Sequence, residues 1–386
     1  MLLKEVPAYK RLHRLCLLSL FLLSALQGIP CGSCAADKSA ADGMRDINAR
    51  LYREAVSRID EYAVFADPGK TGKEIAREGI GSYLHRMDPH SEYLTLQEFA
   101  RFREVKANNY VGVGLEIEKA ADGNILCFPL PSGPAERAGI RNGEILDKIE
   151  GISTRGKSLY TIAAMTQGRP GTRVKLAIRL GNGGVRDFIV TRSKIICDCV
   201  SVQREGGFQL IRIAAFTQES KYELEKSLKK TSKTRPLVID VRGNRGGDLL
   251  AAMDSAGLFL KKGMIISTVR MRTKNIRQRA DSDGAYSDSP IYLWQDGKTA
   301  SSAEVFIAAL TGNGRAVSIG IRTYGKGTRQ DVIELSDGSA LVLTTGYLET
   351  PGGAGFNKKG LEPGYPLGGK TPDTADYWTQ TKKLIN

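Results

Sequence analysis

Apolar residues take three successive spacings along the chain. Over residues 43–103 they recur at helical intervals, with Ile47, Leu51, Ala55, Ile59 and Tyr62 on one face. A second helix is predicted from Ile75 to Leu84, after a break at Pro68-Gly69. Met87-Asp88-Pro89-His90-Ser91-Glu92-Tyr93 reads as a turn, and Leu96 to Val105 as a further short helix. Over 108–192 the pattern shortens to β-type runs, Val111 to Ile117, Ile125 to Pro129, Val174 to Leu180 and Val185 to Thr191. Gly/Pro turns and one short helix, Pro134 to Ala138, separate them. From 208 to 350 strands and helices alternate: Leu237–Val241, the loop Gly243-Asn244-Arg245-Gly246-Gly247, the helix Leu249 to Leu260, and the strand Ile291–Trp294. The helix Ala303 to Leu310 and the strands Ala316–Gly320 and Leu341–Thr345 follow. Continuous apolar strands between helices predict an α/β core with a largely parallel, covered sheet. The stretch 266–289, rich in Arg, Ser and Asp, reads as a surface loop.

The amino terminus carries Lys4, Lys10, Arg11 and Arg14, then a greasy run from Leu15 to Leu26 and small residues at Gly32-Ser33-Cys34-Ala35-Ala36. That is the pattern of a secretory signal over 1–36, and the apolar run is well short of the roughly 20 residues of a membrane-spanning helix. Export is expected, preferably to a periplasm; an uncleaved anchor would leave the protein membrane-associated. Lipid modification of Cys34 is disfavoured because Cys31 stands where an aliphatic residue is wanted. About 350 residues then remain, enough for two or three domains. The precursor's net charge of +14 falls to near +11, with basic and acidic residues interspersed. This composition does not favour a nucleic-acid partner. Cys127, Cys197 and Cys199 are too few for a disulfide scaffold; one bridge, or small buried hydrophobes, are both open. No cofactor and no metal site is expected.

Candidate chemistry collects late in the chain. Ser301-Ser302-Ala303-Glu304 opens a helix, and Tyr324-Gly325-Lys326-Gly327-Thr328-Arg329-Gln330 follows 25 residues on from serine to lysine. Ser-x-x-Glu before an apolar run is a capping box. It is equally a hydroxyl beside free backbone N–H groups that could hold an oxyanion. No histidine follows His90, so a lysine is the leading base for a serine nucleophile. Such a lysine must be neutral, which calls for burial or neighbouring positive charge. Gly320 to Lys326 also fits seven positions of a phosphate loop, but Gly327 stands where Ser or Thr is required and a strand-like run follows.

These segments together resemble the carboxyl-terminal processing (tail-specific) proteases of peptidase family S41. The resemblance runs over nearly all of 43–365 and implies a crotonase-like α/β core with an inserted PDZ domain and an N-terminal helical segment. It divides the chain into a signal (1–36), a helical region (37–105), a PDZ domain (106–192) and the peptidase core (193–386). By the resemblance Ser301 is the nucleophile, Lys326 the general base and Gln330 its support. Asp240-Val241-Arg242-Gly243-Asn244-Arg245-Gly246-Gly247 implies an oxyanion hole from the amides of Gly246 and Ser302. Arg245 replaces the family's proline, Ser302 and Ala303 exchange the usual residues and leave Ser302 a rival nucleophile, and Lys359 to Gly364 departs from the usual strap. Asn109 and Tyr110 with Val111-Gly112-Val113-Gly114-Leu115 resemble a PDZ carboxylate-binding loop. Gly133 to Leu146 resembles that module's helix-turn-strand signature, and Asp88 to Ser91 a structural turn. The implied partners are polypeptides with apolar C-termini, an adaptor or regulatory protein, and further copies of the chain. The rival reading is a latent or inactive PDZ-bearing binding protein of the same fold.

Overall fold

A computed structural model describes residues 49–386 apart from 60, 64–70, 108–110, 121, 158, 196–198, 206–207, 232–234, 287, 289, 370 and 386. The leader, Ile47, Pro68-Gly69, Asn109-Tyr110 and Cys197 lie outside the described residues. The chain divides into two units, 1–76 and 77–386. In the first, residues 49–59 are helical. The helix Thr71–Met87 matches and extends the predicted Ile75–Leu84. No helix among the described residues is long and apolar enough to cross a membrane.

The second unit holds two β-systems that matter for the site. The first is an antiparallel sheet in the order Leu115–Lys119, Ile125–Pro129, Glu144–Ile149, Arg173–Arg179, Val185–Thr191. Its core is Val113, Leu115, Ile125, Leu146, Ile149, Ile162, Leu176, Ile178 and their neighbours. The predicted single run Val111–Ile117 is two strands, Val111–Gly112 and Leu115–Lys119. Gly114, at φ 68, turns the chain between them, a conformation that favours glycine. Leu115–Lys119 is an edge strand, with the helix Leu159–Thr166 packed beside it.

The second system is the α/β core. One sheet runs Val200–Glu205, Phe208–Ile213, Leu237–Asp240, Ile291–Gln295, Val317–Gly320, Tyr365–Pro366. All its pairings are parallel except the first. Leu237–Asp240 is buried throughout because both faces are covered. Leu237 and Ile239 join the large core under the helices Ser220–Leu228, Leu249–Gly257 and Ser302–Gly312. Val238 joins Leu210, Trp294 and Ile319 under Tyr377 and Trp378 of the helix Thr374–Ile385, which the apolar pattern did not predict. A second, antiparallel sheet has the order Glu92–Leu94, Ala340–Glu349, Ile265–Met271, Asn275–Arg279, with Thr328–Glu334 also on Ala340–Glu349.

The surface loop expected over 266–289 is in large part a hairpin: Ile265–Met271 pairs antiparallel with Asn275–Arg279. The first arm buries Ile266 and Val269; the second alternates exposed and half-buried positions at the sheet edge. A polar edge strand has a solvated face, so its composition looks like that of a loop. Cys127 is a buried free thiol whose pKa burial pushes up to about 12, and Cys199 is disulfide-bonded.

Trp294 has no exposed surface and meets Trp378 edge-on at 4.7 Å; its indole N–H donates to Thr381 Oγ1 at 2.9 Å. Trp294→Ala is expected to cost about 4 kcal/mol by leaving a cavity where the indole packs. A thermal melt checks this; an unchanged Tm would show that the helix Thr374–Ile385 contributes little to the core.

Candidate active site

The loop after Leu237–Asp240 is set by a buried carboxylate. Asp240 accepts from Arg242 N, Nε and NH2 and from Arg212 NH1, all at 2.8 to 2.9 Å. Arg242 lies over Trp294 and Tyr377, and these two rings help fix its position. Gly243 N donates to Asp296 Oδ1, and Ala300 N to the Asn244 carbonyl, which laces this loop to the one ahead of Ser301.

Gly246 is thereby brought against the serine. A Cβ on it would stand 2.8 Å from Ser301 Cβ and 3.1 Å from Ser302 N, with φ 109 excluding most side chains as well. Both oxyanion candidates are therefore adjacent to Ser301. The Gly246 amide is engaged, however: it donates to Asn244 Oδ1 at 2.8 Å, while Asn244 Nδ2 donates to the Ile213 carbonyl.

Ser301 itself has φ 58 and ψ −123, a conformation few residues other than glycine adopt. It stands at the cap of the helix Ser302–Gly312, whose residues from Ser302 to Leu310 are all buried. Strain of this kind persists only where its surroundings over-determine it, and the sharp turn lifts the side chain off the helix end. Ser301 is half-buried, whereas Ser302 is 1% exposed and its hydroxyl meets no hydrogen-bond partner. Accessibility therefore favours Ser301 over its rival.

The capping glutamate does more than cap. Glu304 accepts from Ser301 N at 2.8 Å, Thr323 Oγ1 at 2.5 Å, Gly325 N at 2.8 Å and Lys326 N at 2.8 Å. Burial raises its pKa, and the four donors pull the other way. One carboxylate thus joins the serine turn to the lysine loop. Sequence reading took Glu304 only as a helix cap; its spacing carries no sign of the second role. Gly325, at φ 91, admits the segment 358–360 so closely that a Cβ would stand 2.7 Å from Gly360 N.

Lys326 is half-buried, and burial lowers its pKa. Glu116 pushes that pKa back up, while Arg245 lowers it. Glu116 belongs to the edge strand Leu115–Lys119, as does Glu118, which forms an ion pair with Arg245 and accepts from Tyr324 Oη at 2.8 Å. Arg245 also stacks over Phe128 at 3.6 Å from the ring centre. None of Glu116, Glu118 or Phe128 stood out in the sequence, because they lie more than a hundred residues from the groups they meet. Gln330 donates to Thr328 Oγ1 and Thr344 Oγ1, and no hydrogen bond joins it to Lys326 among the described residues. None joins Ser301 Oγ to Lys326 Nζ either.

His90 holds the expected turn. Its N–H and the Ser91 hydroxyl reach Asp88, and Ser91 Oγ accepts from Thr344 N at 3.0 Å. Its imidazole is within the field of Lys326 and Lys358, which with burial lowers its pKa. Val113 and Leu115 of the predicted carboxylate loop face the core of the small sheet, Gly112 is buried against Gln167, and Val111 is half-buried.

Comparison with known proteins bears on the family and the fold. Residues 208–367 match peptidase family S41 and residues 129–180 the PDZ domain family. A "Probable CtpA-like serine protease" of Staphylococcus aureus (strain N315) is 33% identical over 280 residues, 72% of this chain and 56% of the relative. The counterpart in Staphylococcus haemolyticus (strain JCSC1435) is 31% identical over 308 residues, 79% of this chain and 61% of the relative. The chain thus spans less than two thirds of the length of these relatives. The solved photosystem II D1 C-terminal processing protease superposes with a TM-score of 0.64 at 25% identity, over 82% of this chain and 92% of that one. A crotonase-like α/β core bearing a PDZ domain defines the class. The chain belongs to peptidase family S41.

The surroundings of Lys326 predict its titration. Its amine should lose a proton below the range of an exposed lysine. Glu116→Gln should lower that midpoint further, because it removes the one neighbour that favours the ammonium. The rate at which Lys326 is acylated by a small reagent, followed by mass spectrometry across pH, measures this. A midpoint that rises in Glu116→Gln would mean that the carboxylate does not act on the lysine.

Proposed function

We propose that this chain is an exported serine endopeptidase in which Ser301 attacks the peptide bond and Lys326 is the general base. The observation that carries this reading is the strained backbone of Ser301, held against Gly246 on one side and tied to the Lys326 loop by Glu304 on the other. Neutral Lys326 takes the Ser301 proton as Oγ adds to the carbonyl carbon. The ammonium returns that proton to the leaving amine as the C–N bond breaks. Water then attacks the acyl-enzyme, giving its proton to Lys326, and the ammonium returns that proton to Ser301 Oγ as the ester C–O bond breaks and the acid product leaves. The amides of Ser302 and Gly246 hold the oxyanion, and Gln330 supports the lysine. For Gly246 to take part, its N–H must leave Asn244. The arrangement described above is therefore the resting one.

The PDZ domain, over 106–192, takes the substrate's C-terminus, an apolar one, as a strand added to Leu115–Lys119 beside the helix Leu159–Thr166. Capture at that edge and the state of the core are linked, because the same strand carries Glu116 and Glu118. Resemblance to the CtpA-like relatives and the leader pattern support export, with a periplasm preferred. An adaptor and self-association remain part of this reading. The engaged Gly246 amide also favours a second one, a PDZ-bearing binding protein with an idle core.

Cleavage of casein by purified residues 37–386 decides between them. Ser301→Ala and Lys326→Ala should each lower the rate by about a thousandfold or more, and peptides ending in an apolar residue should raise it. Activity that survives in Ser301→Ala would move the nucleophile to Ser302. No cleavage under any condition would favour the binding protein.

A further inference from the structure

Two side chains of the core, one from each catalytic loop, converge on a single carboxylate. Arg245 directly precedes Gly246, which abuts Ser301. Tyr324 lies two residues before Lys326 and is anchored by its own N–H on the Thr299 carbonyl at 2.9 Å. The guanidinium of Arg245 pairs with Glu118, and the phenol of Tyr324 donates to the same side chain. Arg245 is shielded beneath by the Phe128 ring and keeps only 19% of its side chain exposed. A guanidinium fork backed by an aromatic face and joined by a phenol is a recognition site for a carboxylate. The carboxylate now in it comes from the PDZ edge strand and does no chemistry there.

We infer that Arg245 and Tyr324 form a substrate carboxylate site beside the catalytic serine, filled at rest by Glu118 and taken over by an acidic group of the polypeptide being cut. This rests on the reading of Ser301 and Lys326 as a dyad. The occupant is an Asp or Glu side chain, or the terminal carboxylate of a short tail; both present the same two oxygens. Because Arg245 adjoins Gly246 and an extended chain advances about 3.3 Å per residue, the acidic group falls about one to three residues from the scissile bond. Arginine at 245 thereby gives this chain a preference that an uncharged residue there could not confer. Displacing Glu118 also draws on the strand that carries Glu116, so entry of an acidic substrate and release of Lys326 from Glu116 favour one another.

The test uses a panel of fluorogenic peptides identical except for Glu or Gln scanned across three positions on each side of the cut. Each is made as free acid and as C-terminal amide, so the two sources of carboxylate are separated. Wild type should prefer Glu to Gln at one position, or acid to amide, by about tenfold in kcat/KM. Arg245→Gln should bring that ratio close to one, and Tyr324→Phe should lower it in part. Glu118→Gln should act oppositely, raising kcat/KM for the acidic peptide through KM, which a variant that merely folds poorly would not do. A wild-type ratio near one across the panel, or a ratio that persists in Arg245→Gln, overturns the proposal. Binding of the same peptides to Ser301→Ala, followed by fluorescence anisotropy, gives the ratio independently of turnover. If wild type cuts nothing while Ser301→Ala binds acidic peptides through Arg245, the carboxylate site stands and the dyad reading falls. Cleavage without charge preference has the reverse meaning.

Discussion

Everything in the candidate site hangs on one buried carboxylate, that of Glu304. It has no exposed surface and four donors, three of them backbone N–H groups from two different loops. Burying a charge is costly unless hydrogen bonds replace the water it loses. Here the replacements are the groups whose positions matter, the amides of Ser301, Gly325 and Lys326. The cost of burial and the precision of the site are the same fact. A shorter or neutral side chain would fill less of this role, because it could not reach both loops with a charged acceptor. The strained φ of Ser301 is tolerable for the same reason, since a turn held from both ends cannot relax by rotating one peptide.

Much of this was legible in the sequence, and the parts that were not have a common cause. Covered strands such as Leu237–Asp240 announce themselves as apolar runs, and the serine and lysine segments stand out by residue type and spacing. The hairpin at 265–279 was read as a loop because an edge strand has one solvated side. The helix Thr374–Ile385 buries only Tyr377, Trp378 and Thr381, too short a stripe to be read as periodic. Within the site, Ser301, Lys326 and Gly246 were named from motif, and the fold brings the Lys326 loop and Gly246 to Ser301. Glu116, Glu118 and the second role of Glu304 could not be named. They act through contacts between segments distant in sequence, and nothing local distinguishes a solvated glutamate from one that faces a lysine across two domains.

The alternation of a β-strand explains how one short segment can serve two purposes. In Leu115–Lys119, Leu115 and Ile117 pack into the core of the small sheet, while Glu116 and Glu118 project the other way, toward Lys326 and Arg245. The strand's free edge, meanwhile, offers its backbone to a partner. Side chains on one face, packing on the other and hydrogen-bonding capacity along the edge are geometrically independent. A peptide added at the edge need not touch either glutamate to shift the strand, since a strand moves as a unit within its sheet.

Charge balance accounts for the carboxylates that this strand turns toward the core. Lys326 and Arg245 are both half-buried, burial lowers the pKa of each, and the charge of Arg245 lowers that of Lys326 further, so an anion facing them offsets what burial costs. Glu116 and Glu118 are those anions, and Glu116 is buried enough that its own pKa rises. A carboxylate whose charge is disfavoured by burial is a poor permanent partner, because its desolvation opposes the attraction it supplies. The attraction that Glu116 supplies is therefore partly offset by the cost of its own burial. An apolar interface of the same area would bear on no titratable group. Carboxylates act through charge, and that of Glu116 bears directly on the protonation of Lys326.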